Sequence, residues 1–283
     1  MDFLEFIKAI FYGIVEGITE WLPVSSTGHL ILFEEFFGFT ASESFIDMFR
    51  VVIQLGAIFA VIILFWNKLF PFSKTKSAEE KKSIFLTWGK VVVACLPAAV
   101  IGLLLDDWLD EHFYNFPTVA ATLIIYGVAF LLVEYFNKKG ILRLKADSVE
   151  KLSFGKAFGI GVFQLLSLIP GTSRSGSTIL GGMILGANRS ASAEFSFFLA
   201  IPVMFGASFL KVLKFGLDIA EGEASILSGT EIGILIVGCI SAFLVSLATI
   251  KFLMDFIKKH DFKLFGYYRI VLGIILLIYY FAR

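Results

Sequence analysis

Charged residues are scarce in this chain: Asp, Glu, Lys and Arg make up 17% of its 283 residues, against 58% hydrophobic. So little polar surface cannot coat a water-facing globule of this length, which excludes a soluble domain. An excess of positive charge is lacking too. Lys plus Arg and Asp plus Glu balance at 24 each, which removes the electrostatic footprint of a nucleic-acid binder. Cysteine is almost absent. Cys95 and Cys239 both lie in apolar runs, which fits neither a disulfide framework nor a cysteine-rich metal site and reads as two small buried hydrophobes. The opening stretch MDFLEFIKAIFYGIVEG has no basic leader and no A-x-A pattern, so a removable signal peptide is not expected. What is abundant is apolar: 33 Phe and a mean hydropathy of +0.86 describe a polytopic membrane protein.

Crossing about 30 Å of hydrocarbon takes roughly 20 apolar residues in a helix. Six stretches qualify: Phe45 to Trp66, Val91 to Leu105, Pro117 to Phe136, Ser192 to Lys214, Ile232 to Ile257 and Gly266 to Phe281. The second is short unless it extends back toward Trp88 and forward to Trp108, which are placed as interface anchors. Lys and Arg cluster at Lys68 to Lys90, at Lys138 to Lys156 and at Lys258 to Lys263, and these loops are expected in the cytoplasm. Neither residue occurs from Ala9 to Phe49, from Val91 to Asn137 or from Phe215 to Ile250. Those gaps hold the acidic stretches DDWLDEH (Asp106 to His112) and DIAEGE (Asp218 to Glu223), expected as external turns. Lys211 and Lys214 at an external helix end are two exceptions.

Two further apolar segments, Phe3 to Phe37 and Phe154 to Ala187, are interrupted by WLPVSSTGHL (Trp21 to Leu30) and IPGTSRSGST (Ile169 to Thr178). Broken backbone at membrane depth is tolerated only where it is buried in protein or lines a cavity. Each segment therefore reads as a re-entrant hairpin, although two full spans would give the same topological parity. The fold expected is all-α and integral to the membrane, an inverted-topology repeat of six transmembrane helices plus two re-entrant helical hairpins. It forms one membrane domain over residues 1–283, with repeat one over about 1–145 and repeat two over about 146–283. Such repeats place a polar site where their broken helices meet near the midplane.

Glu16 and Glu20 lie four apart on one helix face of an otherwise apolar stretch. Each costs about 2.5 to 3.5 kcal/mol at the bilayer centre. They read either as a structural pair in a wet crevice or as a seat for a divalent metal or an acid/base pair. Ser25, Ser26, Thr27 and Gly28 then open a new helix, which suits an anion; Ser or Thr in that place is also an ordinary N-cap. Ser26 and His29 are three apart, so a hydroxyl nucleophile and an imidazole base could share a face. The second break adds Thr172, Ser173, Arg174, Ser175, Ser177 and Thr178 between two glycines. Arg174 is a cation deep in an apolar hairpin, and guanidinium grips phosphate through a bidentate fork. If the two breaks face each other they form a phosphate site.

EGITEWLPVSSTGH (Glu16 to His29) and PGTSRSG (Pro170 to Gly176), supported by VVIQLGAI (Val51 to Ile58) and AEFSFFLAIPVMFGA (Ala193 to Ala207), closely resemble the bacterial undecaprenyl-diphosphate phosphatase family associated with bacitracin resistance. The resemblance spans essentially the whole chain. It implies a hydrolase of the cell membrane, with its site opening to the outer face. That hydrolase removes the terminal phosphate of C55 isoprenyl diphosphate and so recycles the lipid carrier for peptidoglycan synthesis. It also implies a divalent cation, Mg²⁺ or Ca²⁺. The family's glutamates fall on Glu16 and Glu20, its serine on Ser26, its histidine on His29 and its arginine on Arg174. Before VIQLG the family usually has an acidic residue where this chain reads Asp47, Met48, Phe49, Arg50, which puts any role for that position in doubt.

On this reading Glu16 and Glu20 hold the metal, and Ser26, His29, Glu20 and Arg174 are catalytic, with Ser26, His29 or water as the nucleophile. Arg174, Ser25, Thr27, Ser173, Ser175 and Thr178 bind substrate. The partners are the lipid substrate and the bilayer, with no nucleic acid, and a homodimer is left open. His112 and His260 read as solvated, Gln54 and Glu194 as supporting hydrogen-bonders or helix adhesion, and GGMILGAN (Gly181 to Asn188) as close packing. The rival function is a transporter or flippase of an anion or phosphorylated lipid, because paired broken helices are also a carrier architecture.

Overall fold

The structure, a computed structural model, describes residues 2–113 and 115–282. Among them there is no strand, and a single bridge joins Ala146 to Ala187. Helices α1 (Asp2–Thr19) and α2 (Ser26–Phe37) flank the first break. They are followed by α3 (Glu43–Leu64), the one-turn α4 (Trp66–Leu69), α5 (Ala78–Phe113) and α6 (Phe116–Lys138). Helices α7 (Phe154–Leu165) and α8 (Arg174–Ile184) flank the second break, and α9 (Arg189–Glu221), α10 (Gly229–Lys259) and α11 (Lys263–Ala282) complete the fold. Six helices are long and apolar enough to cross a membrane: α3, α5 over Ala78–Gly102, α6, α9, α10 and α11. The protein is an all-α, multi-pass membrane protein, and the six apolar runs of the sequence are its six spans.

Polar side chains set the helix starts. Ser42, Asn115, Asn188 and Ser228 each accept the backbone N–H three residues on, and Ser228 with Glu231 forms a reciprocal capping box. Past the apolar runs, α5 and α9 continue until something stops them. The first acidic stretch and most of the second are the last turns of helices rather than loops: α5 runs to Phe113 and α9 to Glu221, where Gly222 at a φ of 82° caps it. The side chains of Asp106, Asp107 and Asp110 lie outside the described ones.

The two halves pack by matching rules. Helix α1 lies against α10 and α7 against α5, while α3 pairs with α9 and α6 with α11. Glycine permits the close crossings of α1 on α10, α7 on α5 and α6 on α11. A Cβ on Gly13 of α1 would stand 2.5 Å from the Gly238 carbonyl oxygen of α10, and one on Gly161 of α7 would stand 2.2 Å from the Ala94 carbonyl oxygen of α5. Both ends of each broken unit lie together. Lys8 Nζ donates to the Gly38 carbonyl at 2.7 Å, joining the start of α1 to the end of α2. Beyond α8, Gly186 O accepts from Ala146 N, just ahead of α7.

The Lys-rich loops gather at one end of the bundle. There Glu194 receives Lys68, and Arg189 makes a two-point ion pair with Glu134 at 2.7 and 2.5 Å while the Phe262 N–H donates to the same carboxylate. Phe39, Phe45, Phe215 and Ile234 pack together in a separate apolar cluster that draws on α3, α9 and α10. Between the ends, large apolar side chains such as Phe209, Leu104 and Ile278 are exposed, which is the surface a lipid-embedded bundle presents.

Candidate active site

Each break ends on a serine that no ordinary turn would choose. Ser25 and Ser173 have φ of 75° and 73°, the only positive-φ residues other than glycine among those described. A non-glycine residue held there costs about 1 to 3 kcal/mol and persists only where its surroundings over-determine it. Each serine caps the next helix, accepting from Gly28 N at 3.2 Å and Gly176 N at 3.1 Å respectively. The correspondence runs further back: nine residues before each serine stand Glu16 and Gln164, and twelve before stand Gly13 and Gly161. Glu16 and Gln164 are both buried, and the polar atoms of both side chains lack a hydrogen-bond partner among the described residues.

The two breaks meet at Glu20. Its Oε2 accepts from Ser26 Oγ at 2.8 Å, and its Oε1 accepts from Arg174 Nη2 at 2.9 Å and Nε at 3.3 Å. Arg174 Nη1 donates to the Ser196 carbonyl of α9 at 2.8 Å. A cavity of about 120 Å³ opens on this group, lined by Glu20, Ser26 and Thr27 from the first break, Pro170, Gly171, Ser173 and Arg174 from the second, and Gln54 from α3. It has room for a phosphoryl group and is smaller than the sites of about 300 Å³ upward that enclose drug-sized ligands. A serine hydroxyl, a carboxylate and a guanidinium thus face one small space.

Several residues singled out in the sequence do other work. Ser175 donates to the Glu20 carbonyl at 2.9 Å, and Thr178 to the Arg174 carbonyl at 2.8 Å while bonding Ser196 Oγ at 2.7 Å. With the Ser25 cap, these hydroxyls hold the backbone instead of facing the cavity, while Thr27 and Ser173 do line it. His29 is turned away from Ser26. Its Nδ1 lies 2.7 Å from the Ser25 carbonyl, which can only accept, so in the neutral ring Nε2 takes the proton of Tyr268 OH at 2.6 Å. Glu16 is fully buried behind Glu20 and does not line the cavity. His112 and His260 are exposed.

No group of three or more His, Cys, Asp or Glu side chains converges among the described residues. Mg²⁺ needs fewer, taking one or two carboxylates and filling its remaining positions with substrate phosphate and water. Glu16, one turn from Glu20, is a carboxylate with no hydrogen-bond partner among the described residues, the ligand type such an ion takes.

The sequence profile described as bacitracin resistance protein BacA matches residues 9–275. The chain belongs to the BacA family. It is 57% identical over 279 residues to an undecaprenyl-diphosphatase of Acetivibrio thermocellus, covering 99% of each chain. To one of Enterococcus faecalis it is 56% identical over 280 residues, again covering 99% of each. To one of Desulfitobacterium hafniense it is 52% identical over 284 residues, covering 100% of this chain and 99% of the relative.

One residue of this BacA chain escapes sequence reasoning. Arg269, in the second turn of α11, is 0% exposed and donates to four carbonyls: Pro23 at 3.2 Å, Gly171 at 2.9 Å, Thr172 at 3.0 Å and Leu123 at 3.5 Å. The sequence did carry a trace of it, a lone Arg inside an apolar span, which is costly enough to need a reason.

Proposed function

We propose that this BacA protein hydrolyses undecaprenyl diphosphate to undecaprenyl phosphate and inorganic phosphate, recycling the lipid carrier for peptidoglycan synthesis and conferring bacitracin resistance. The observation that carries the reading is the hydrogen-bonded chain Ser26–Glu20–Arg174 across the two breaks, facing a cavity of phosphoryl size. Three of the five guanidinium N–H groups of Arg174 are engaged by Glu20 and Ser196, which leaves two for phosphate oxygens. Thr27 and Ser173 add hydroxyl donors at the helix N-termini, where anions are favoured.

Ser26 Oγ attacks the terminal phosphorus and passes its proton to Glu20 Oε2, to which it already donates. The bond from that phosphorus to the bridging oxygen breaks, and undecaprenyl phosphate leaves. Water then cleaves the phosphoserine, releasing inorganic phosphate and restoring the hydroxyl. Phosphoryl transfer asks mainly for positioning and charge stabilisation, which is the role of Arg174. Glu16 and Glu20 would hold Mg²⁺ or Ca²⁺, which supplies further neutralisation of the diphosphate charge.

The matched packing of α1 on α10 and α7 on α5, with both ends of each broken unit adjacent, supports an inverted repeat of two re-entrant hairpins and six spans in a single membrane domain. With the Lys-rich loops cytoplasmic, both ends of the first unit lie outside, and the site opens to the outer face of the cell membrane. The exposed apolar perimeter is compatible with a homodimer. A second reading, transport of a phosphorylated lipid, is favoured by the same correspondence between halves. Flux of labelled lipid across liposomes tests it.

The first reading is tested by release of inorganic phosphate from undecaprenyl diphosphate by the detergent-purified protein, with and without EDTA. Release is expected with Mg²⁺ or Ca²⁺ and is expected to stop in EDTA. Absence of release from folded protein supplied with either metal contradicts it.

A further inference from the structure

We infer that Arg269 is the positioning residue of the phosphate site, fixing the two breaks in their anion-binding conformation from behind; the inference rests on the reading of the cavity as a phosphate site. Its guanidinium touches no carboxylate among the described residues: its hydrogen bonds all go to backbone oxygens, and it lies 5.5 Å from the centre of the Tyr126 ring. One of these, Pro23 O, belongs to the first break. Two more, Gly171 O and Thr172 O, belong to the second. These three carbonyls stand one or two residues before Ser25 and Ser173, the two serines held at positive φ. Strain of that kind needs a fixed neighbour on the chain, and Arg269 is that neighbour for both.

The grip also aims an amide. In a planar trans peptide, C=O and the following N–H point in opposite directions. With the Thr172 carbonyl turned onto Arg269, the Ser173 N–H is turned away from it, and Ser173 lines the cavity. The guanidinium sits beneath the first turn of α8, where a Cβ on Gly176 would lie 3.4 Å from Nη1. A fully buried cation with no carboxylate against it among the described residues raises the positive potential of the site it backs. The charge that matches it is then the phosphate of the ligand.

The test uses full-length Arg269→Gln and Arg269→Lys in detergent, compared with wild type by two readouts. One is the rise in thermal unfolding temperature on adding inorganic pyrophosphate, which needs no turnover. The other is kcat and KM for undecaprenyl diphosphate. In Arg269→Gln the pyrophosphate concentration giving the half-maximal shift is expected to rise about ten-fold, as the positive potential behind the site is lost. Its kcat is expected to fall about a hundred-fold, the effect of a small misplacement of the reacting groups. Arg269→Lys restores charge without the four-carbonyl grip, so it is expected to recover most of the pyrophosphate response and little of kcat. If Arg269→Gln does not fold, the kcat loss of folded Arg269→Lys decides. Folded variants whose pyrophosphate shift, KM and kcat match wild type overturn the inference while leaving the phosphatase reading intact. Wild type that binds pyrophosphate through Arg269 but releases no phosphate upholds the inference and overturns the enzyme.

Discussion

Arg174→Lys is expected to release phosphate from undecaprenyl diphosphate about a thousand-fold more slowly than wild type, the scale on which an arginine stabilises phosphoryl-transfer charge. The substitution keeps the charge and loses the geometry. Arg174 reaches Glu20 Oε1 through two nitrogens and the Ser196 carbonyl through the third, a planar fork that a single ammonium cannot reproduce. Lysine can satisfy one of these partners at a time, so either Glu20 loses its fixed position or the link to α9 opens. Both partners are buried, and the pair's side chains are only 11% and 7% exposed, so water does not substitute. The loss is expected mainly in kcat, read from steady-state kinetics, with the variant still eluting as folded protein on gel filtration. A kcat within ten-fold of wild type contradicts the role given to Arg174.

Glu20→Gln separates chemistry from architecture more cleanly. The amide carbonyl can still accept from Arg174, and the chain retains its polar contact between the breaks. It can no longer take a proton from Ser26 as the hydroxyl attacks. Removing a positioned general base costs about 10² to 10⁴ in rate, and that fall in kcat is expected with the thermal unfolding temperature of the unliganded variant close to that of wild type. Glu20→Ala is the poorer variant, because it strands the buried Arg174, and an unpaired buried charge costs about 3 to 5 kcal/mol of stability.

How much of this was legible in the sequence follows from what each feature depends on. The six spans were legible because an apolar run of membrane length has few alternatives. Their true ends were not: α5 runs 36 residues and α9 runs 33, longer than the roughly 20 that a span needs, because nothing in the apolar run itself marks where the helix stops. Glu16, Glu20 and Arg174 were legible as costly groups at depth. That Glu20 is the hub, and that Glu16 lies behind it without a partner among the described residues, depends on how the two breaks dock, which no local pattern encodes.

His29 shows the limit of helix-face spacing. Three residues from Ser26, it shares the face in principle. Yet Ser26 opens the helix and reaches back into the break toward Glu20, while the imidazole caps the Ser25 carbonyl and meets Tyr268 of α11. Arg269 was hidden for a related reason. Its partners are carbonyls of Pro23, Gly171, Thr172 and Leu123, at least 97 residues away in sequence, and backbone acceptors leave no mark in a residue pattern. The same holds for Gln164. Its kinship with Glu16 emerges only once Ser25 and Ser173 are seen to adopt one unusual conformation.

The most direct test of the Ser26–Glu20–Arg174 site is to trap the covalent intermediate. Undecaprenyl diphosphate labelled in its terminal phosphate is mixed with enzyme, quenched within one turnover, and the denatured protein is assayed for label. Acid-stable label is expected on wild type, absent from Ser26→Ala and retained in His29→Ala. Acid-labile label that persists in Ser26→Ala and vanishes in His29→Ala would contradict the site as described and make the histidine the nucleophile.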